Sequence, residues 1–204
     1  MMHKDGLLVV LSGPSGSGKD TVLAELFKLD IGLVQSVSMT TRQPRAEEQN
    51  GVDYIFVEEK DFLDEISENK MLEYAKYGNN YYGTPRGPVD NWLSDGRVVV
   101  LKIEVQGAEN IRKIYPDCVS IFITPPNMQV LEQRLRNRGS ENEEDVRRRL
   151  DIADKELDRI CEYDYIVIND ELMSAVDDIK TIITAERLKV SRRKNILSEV
   201  KNNV

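Results

Sequence analysis

A three-layer α/β core built on a parallel sheet, with a small inserted α+β lobe and a mobile lid, is the fold class this sequence predicts. Three observations lead there. The run LLVVLS (7–12) is wholly apolar and ends in a glycine-rich loop, the pattern of a strand buried on both faces of a parallel sheet. Similar runs, RVVVLKIEV (97–105), CVSIFIT (118–124) and DYIVIN (164–169), alternate with segments of helical spacing. Residues 34–82 have another character. The pieces QSVSMTTRQPR and GVDYIFV are β-rich and turn-punctuated, and the short acidic helix EEKDFLDEISENK follows them.

In chain order, the first strand at 7–12 gives way to a helix starting near Gly18 and running through TVLAELFKL. The inserted lobe, expected to bind substrate, occupies about 34–84. After the strand at 97–105 the spacing predicts helices over 107–115, 127–138, 143–161 and 171–190, with strands at 118–124 and 164–169 between them. The polar, glycine-interrupted stretch NRGSENEED (137–145) separates two of these helices and reads as a mobile lid, placed at about 134–149. The core is then 1–33, 85–125 and 150–190. The basic tail over 191–204 reads as a solvated helix end or frayed terminus.

Composition narrows the function classes. The 204 residues carry a net charge of −8 at pH 7, which argues against a general nucleic-acid binder, since that needs a basic face. If the ligands are phosphates, arginines must be gathered locally, and they are: Arg42 with Arg45; Arg134, Arg136 and Arg138; and the run Arg147 to Arg149. No apolar run approaches the roughly 20 residues that span a bilayer. The start, MMHKDGLLVVLSG, lacks the layout of a signal peptide. Cys118 and Cys161 fit neither a disulfide framework nor zinc spacing, and Cys118 reads as a buried small hydrophobe. A cytoplasmic protein is expected, without membrane or nucleic-acid partners.

The loop LSGPSGSGKDT (11–21) places Gly13, Gly18 and Lys19 at the spacing G-x-x-x-x-G-K. Glycines let the main-chain N–H groups around Ser15, Gly16, Ser17 and Gly18 turn toward phosphate oxygens. The next helix adds its positive end, and Lys19 adds a cation for the β- and γ-phosphates. The buried strand before it and the helix after it are the context the motif requires. The following position, where Ser or Thr is usual, holds Asp20, and Thr21 comes one step late, turned about 100° around the helix. Two roles are open to Asp20: a magnesium contact, directly or through water, or a plain helix-start acid favoured by the dipole.

From SMTTRQPRAEEQNGVDY (38–54) and LEYAKYGNNYYGT (72–84) onward, the chain resembles the guanylate kinases, over about residues 7–188. The resemblance implies the P-loop nucleoside-monophosphate-kinase fold. It also implies transfer of a phosphoryl group from ATP to GMP or dGMP with Mg²⁺, by a monomer or homo-oligomer. Arg42, Arg45, Tyr54 and Tyr82 fall where such enzymes hold the GMP phosphate. Ser38, Glu73 and Thr84 fall where they read guanine. Arg134, Arg138 and Arg149 match the lid-region arginines that close on the transferring group, and Asn169 and Asp170 match positions near adenine. Glu104 keeps the second of two acids that usually close the strand at 97–105, on the GMP side.

The chemistry of these residues agrees. Arginine forks bind phosphate oxygens two at a time, and tyrosine hydroxyls complete a shell. A carboxylate at Glu73 accepts from both N1–H and the exocyclic amine of guanine but meets a lone pair at N1 of adenine. An exposed strand position is the plainer alternative for Glu73, strand packing is the reading preferred for Tyr81, and a solvated ion-paired face with Glu132 and Glu141 is expected for Arg136. A GMP phosphate is already largely dianionic at neutral pH, its second pKa being about 6, so no general base is needed. The only histidine, His3, lies outside the folded pattern. Lys102 departs from the family at the first of the two strand-end acids, and its side chain either meets the phosphates, paired with Asp20, or turns to solvent. The rival readings are a catalytically inactive phosphopeptide-binding module of the same shape and a kinase for another small phosphate.

Overall fold

The computed structural model describes residues 6–137, 143–193 and 201. His3, Arg138 and most of the tail lie outside them. Five parallel strands form the main sheet: β1 (Leu7–Ser12), β2 (Leu33–Gln35), β7 (Val98–Lys102), β8 (Val119–Thr124) and β9 (Tyr165–Ile168). Their order is β2-β7-β1-β8-β9, so the phosphate-loop strand is central. All six residues of β1 are buried. Alternation sends Leu7, Val9 and Leu11 to one face, against Val22, Leu23 and Leu26 of α1 (Lys19–Lys28) and Ala175, Val176, Ile179 and Ile183 of α7 (Leu172–Glu186). Leu8 and Val10 face the other way, with Val89 of α3 (Arg86–Ser94) and Ala108 and Ile111 of α4 (Val105–Ile114). Helices on both faces leave no wet side, which is why these strands carry no polar alternation.

Short strands make a second sheet, ordered β4-β3-β6-β5, from β3 (Met39–Thr40), β4 (Ile55–Phe56), β5 (Met71–Tyr77) and β6 (Asn80–Pro85). Its small core holds Met39, Met71 and Phe62 from α2 (Glu59–Ser67), with Tyr81 stacked on Phe62 at 5.4 Å between ring centroids. The packing role expected for Tyr81 is the one it has.

Two helical expectations need correction. The span read as one helix over 143–161 ends as α6 (Glu143–Leu157), and the chain then tightens into a 3₁₀ turn at Ile160–Glu162. There Arg159 donates to Glu162 and, across to α4, to Glu109, which anchors the turn. Helix α3 has no counterpart in the sequence reading; Arg86 opens it, and Gly87 and Pro88 follow in its first turn. Proline in a first helical turn forfeits no intrahelical bond, so it starts this helix rather than breaking it. Helix α5 (Met128–Arg136), capped by the Asn127 side chain on Val130 N–H, packs on α6 through Leu131, Leu135, Val146 and Ala153.

Candidate active site

The phosphate loop joins β1 to α1 through Gly18, whose φ of 92° opens the helix in a conformation that side chains disfavour. A Cβ there would also stand 2.3 Å from Asn169 Nδ2. No side chain caps α1, so its first N–H groups stay with the loop. The Lys19 ammonium donates to the carbonyls of Gly13 at 2.5 Å and Pro14 at 3.1 Å. Burial pushes its pKa down, against the pull of Glu104, Glu156 and Asp20. Ser17 Oγ is buried with no hydrogen-bond partner among the described residues, as suits a group built for a ligand.

Three residues from distant parts of the chain brace this loop. Asn169 donates to the Ser17 carbonyl at 2.8 Å, Arg134 donates to Asn169 O at 2.8 Å and Ser17 O at 3.4 Å, and Arg149 donates to Ser15 Oγ at 2.7 Å. Arg134 and Arg149 thus converge on the loop. Asn169, which the resemblance puts near adenine, is buried and donates its amide to the loop; its neighbour Asp170 is exposed. Arg136 makes ion pairs with Glu132, at 2.8 Å, and with Glu143, a solvated pairing away from the loop. Glu141, the other expected partner, lies outside the described residues, as does Arg138.

On the inserted lobe, Arg42 donates through Nη2 to both oxygens of Glu48, at 2.7 and 2.9 Å, and through Nη1 to Gln43 O. Its guanidinium lies 5.5 Å from the Tyr54 ring centre, and Tyr54 meets Tyr82 edge-on at 6.1 Å. The Glu48 contact holds the Arg42 pKa above its ordinary value and, in return, depresses that of Glu48. Arg42, Tyr54 and Tyr82 are therefore together. The side chain of Arg45 is exposed, and its main-chain N–H donates to Glu48 at 2.8 Å.

Behind this cluster Glu73 is 7% exposed and accepts from Thr84 Oγ1 at 2.7 Å. Burial raises its carboxyl pKa, with the Thr84 hydrogen bond opposing. The exposed-strand alternative for Glu73 is thereby removed. Ser38 takes part through its carbonyl, which accepts from Ile55 N–H at 2.9 Å. Glu104 and Thr21 are exposed, Glu104 preceding α4 and Thr21 following Asp20 on α1. Lys102 pairs with Asp20, which closes the question of its orientation.

Three residues escaped the sequence reading. Glu48 carried no signal beyond lying near Arg45. Gly107 did carry one: glycine inside a helix costs about 1 kcal/mol against alanine, so it asks for a reason. The reason is close approach, since a Cβ on Gly107 would stand 2.8 Å from Glu73 Oε2. Glu156, on α6, has its pKa pushed up to about 7 by burial and by Glu104.

A phosphate loop at the mouth of a parallel sheet, faced by a lobe holding an arginine–tyrosine cluster and a buried carboxylate, defines the class of P-loop nucleotide kinases. Similarity to known proteins sharpens this. The family model described as guanylate kinase matches residues 5–186. The guanylate kinase of Desulfitobacterium hafniense strain Y51 is 44% identical, with 98% of this chain and all of that protein covered. That of Lactobacillus johnsonii is 45% identical, with 100% and 98% covered. The crystal structure of guanylate kinase from Anaplasma phagocytophilum superposes with a TM-score of 0.81 at 32% identity, over 98% of this chain and 96% of that one. The chain belongs to the guanylate kinase family.

Proposed function

We propose that this protein transfers the terminal phosphoryl group of ATP to GMP, and to dGMP, releasing ADP and the nucleoside diphosphate. The observation that carries this reading is Glu73, a buried carboxylate with one oxygen on Thr84 and the other against Gly107, on the same lobe as the Arg42–Tyr54–Tyr82 cluster. A guanine edge has two donors to satisfy such a group, whereas adenine leaves it unpaired, and an unpaired buried polar group supports discrimination of about 10⁴-fold. Ser38 and Thr84 complete the base contacts, Arg42, Arg45, Tyr54 and Tyr82 hold the phosphate, and Glu104 lines the same side.

On the donor side, residues 15–21 hold the ATP phosphates, with Asn169 and Asp170 at the adenine end. Lys19, Arg134, Arg138 and Arg149 balance the charge that develops as the bond to the leaving phosphate breaks. An oxygen of the GMP dianion attacks phosphorus directly, so positioning and cations suffice. Residues about 134–149 act as the lid. Among the described residues no three acidic, histidine or cysteine side chains converge as a metal cage. Asp20, paired with Lys102, carries an exposed carboxylate on the first turn of α1, the donor type magnesium takes, and so fits a metal ion carried by the nucleotide. When bound, Mg²⁺ supplies charge neutralisation on the phosphates.

An inactive binding module is disfavoured by the intact loop with Lys19 in place. The enzyme acts in the cytoplasm, as monomer or homo-oligomer; among the described residues no helix is long and apolar enough to cross a membrane. The test is ADP release with GMP, AMP, UMP or CMP as acceptor. Turnover with GMP alone is expected; equal rates with AMP, or none with any, would overturn the reading.

A further inference from the structure

Lys102 is the last residue of β7, and the strand register sets it beside Leu11 of β1, two residues before Gly13 of the phosphate loop. Its ammonium is ion-paired with Asp20 on the first turn of α1. The pair is lopsided: the Lys102 side chain is 27% exposed and that of Asp20 is 73% exposed. Lys102 is also within electrostatic range of both halves of the site. Its charge acts on Lys19 in the donor loop and, on the lobe, on Tyr54 of the acceptor cluster. Burial works against its charge, and Asp20 outweighs this.

As a stabilising device this arrangement is poor. An ion pair open to solvent on one side adds little, while recessing an ammonium in protein removes hydration it would otherwise keep. An apolar residue at the end of β7 would continue the run VVVL at no such cost. A recessed cation at the end of β7, its charge felt by both the loop lysine and the lobe tyrosine, is instead suited to an oxyanion arriving there. The geometry points to Lys102 as a further phosphate-binding residue, its ammonium taking an oxygen of the acceptor monophosphate between the Arg42–Tyr54–Tyr82 cluster and Lys19, with Asp20 holding it in reach. This deepens the GMP reading and rests on it.

The rival explanation is that Lys102 merely neutralises Asp20, which would otherwise repel phosphates. Two variants separate these roles: Lys102→Met alone, and Lys102→Met combined with Asp20→Asn, which removes both charges. Calorimetric titration with GMP, with guanosine and with ATP, in the absence of added magnesium, reads binding without turnover. If Lys102 holds the acceptor phosphate, both variants bind GMP about tenfold or more weakly, as for loss of one charge-assisted bond. Guanosine, which lacks the phosphate, binds as in the parent, and ATP affinity in the double variant does not fall by a like factor. Parental GMP affinity in the double variant would reduce Lys102 to a counter-charge and overturn the inference. So would an equal loss for ATP, which would move the residue to the donor side, or a loss for guanosine, which would place the effect in the lobe's fold. A parent protein that binds no GMP would instead overturn the acceptor reading itself, and this inference with it.

Discussion

The donor loop and the acceptor cluster both gather cations, yet they hold them differently. Lys19, Arg134 and Arg149 rest on oxygens of the loop itself: the Gly13, Pro14 and Ser17 carbonyls and the Ser15 hydroxyl. The acceptors of Lys19 are neutral carbonyls, and the carboxylates of Glu104, Glu156 and Asp20 act on it electrostatically. Arg42 rests on a carboxylate, Glu48, which accepts two hydrogen bonds from it and one from Arg45 N–H. The lobe cluster is therefore partly neutralised by its own chain, and on the proposed function an incoming phosphate would compete with Glu48. One half of the site stands with its lysine on neutral carbonyls; the other holds its arginine on a carboxylate that a phosphate would have to replace.

The sharpest test of the standing half is Lys19→Met. Removing a cation aimed at developing charge costs about 10²–10³ in kcat, and steady-state kinetics should place the loss in kcat/KM for ATP while GMP binding by titration holds. An unchanged kcat would mean that the neutral partners keep Lys19 out of the reaction. Next in size is Glu73→Gln. The amide presents a donor where guanine also presents donors, and a drop of about 10²-fold in kcat/KM for GMP is expected from the mismatched bonds, with ATP binding untouched.

Gly107→Ala probes the same carboxylate from behind. The new Cβ would lie 2.8 Å from Glu73 Oε2, so the carboxylate must shift. A rise of about tenfold in KM for GMP, corresponding to about 1.4 kcal/mol, should accompany an unchanged KM for ATP. Matched changes for both would show that α4 moves as a body rather than yielding at Glu73. The exchange in the acceptor half is tested by Glu48→Gln, which retains an acceptor for Arg45 N–H and removes the competing charge. GMP affinity by calorimetry is expected to tighten a few-fold, roughly 0.5–1 kcal/mol for a partly exposed pair. Weaker binding would show that Glu48 orients Arg42 rather than competing with phosphate, and the contrast between the two halves would fall.

The smallest effect concerns pH. The Glu156 carboxyl has its pKa raised from 4.5 to about 7 in the folded chain. The folded state then binds this proton more tightly than the unfolded state, so the stability it contributes is present in acid and is lost as pH rises from about 4.5 through 7. Glu156→Gln cannot ionise. Its Tm relative to the parent should rise between pH 5 and pH 8, and a flat difference would mean that solvent already relieves the burial.

Much of this was legible before any coordinates because the signals are local. The phosphate loop is a contiguous grammar of glycines and a lysine between an apolar strand and a helix. The unalternating runs LLVVLS and VSIFIT announce strands covered on both faces. Glu73 and the arginine–tyrosine set were named through the resemblance to guanylate kinases, and the chemistry of guanine and phosphate agreed with it. Short elements were harder: RGPVDNWLS was not read as a helix, and the cost of its Pro88 depends on a position within the turn that is fixed only once α3 has a start.

What only the tertiary structure decided is which charges meet. Lys102 finds Asp20 across 82 residues because β7 lies next to β1, a consequence of strand order that no local pattern encodes. Asn169 and Arg134 reach Ser17 across 152 and 117 residues for the same kind of reason, since β8 flanks β1 and β9 flanks β8. Gly107 is an anomaly within its own helix until β5 brings Glu73 against it. Backbone propensity and hydrophobic period act over a few residues, so the sequence alone determined the elements and the kinds of chemistry they carry. Electrostatic partnership depends on distance in space, and the parallel crossovers that bring distant strands side by side settled that distance.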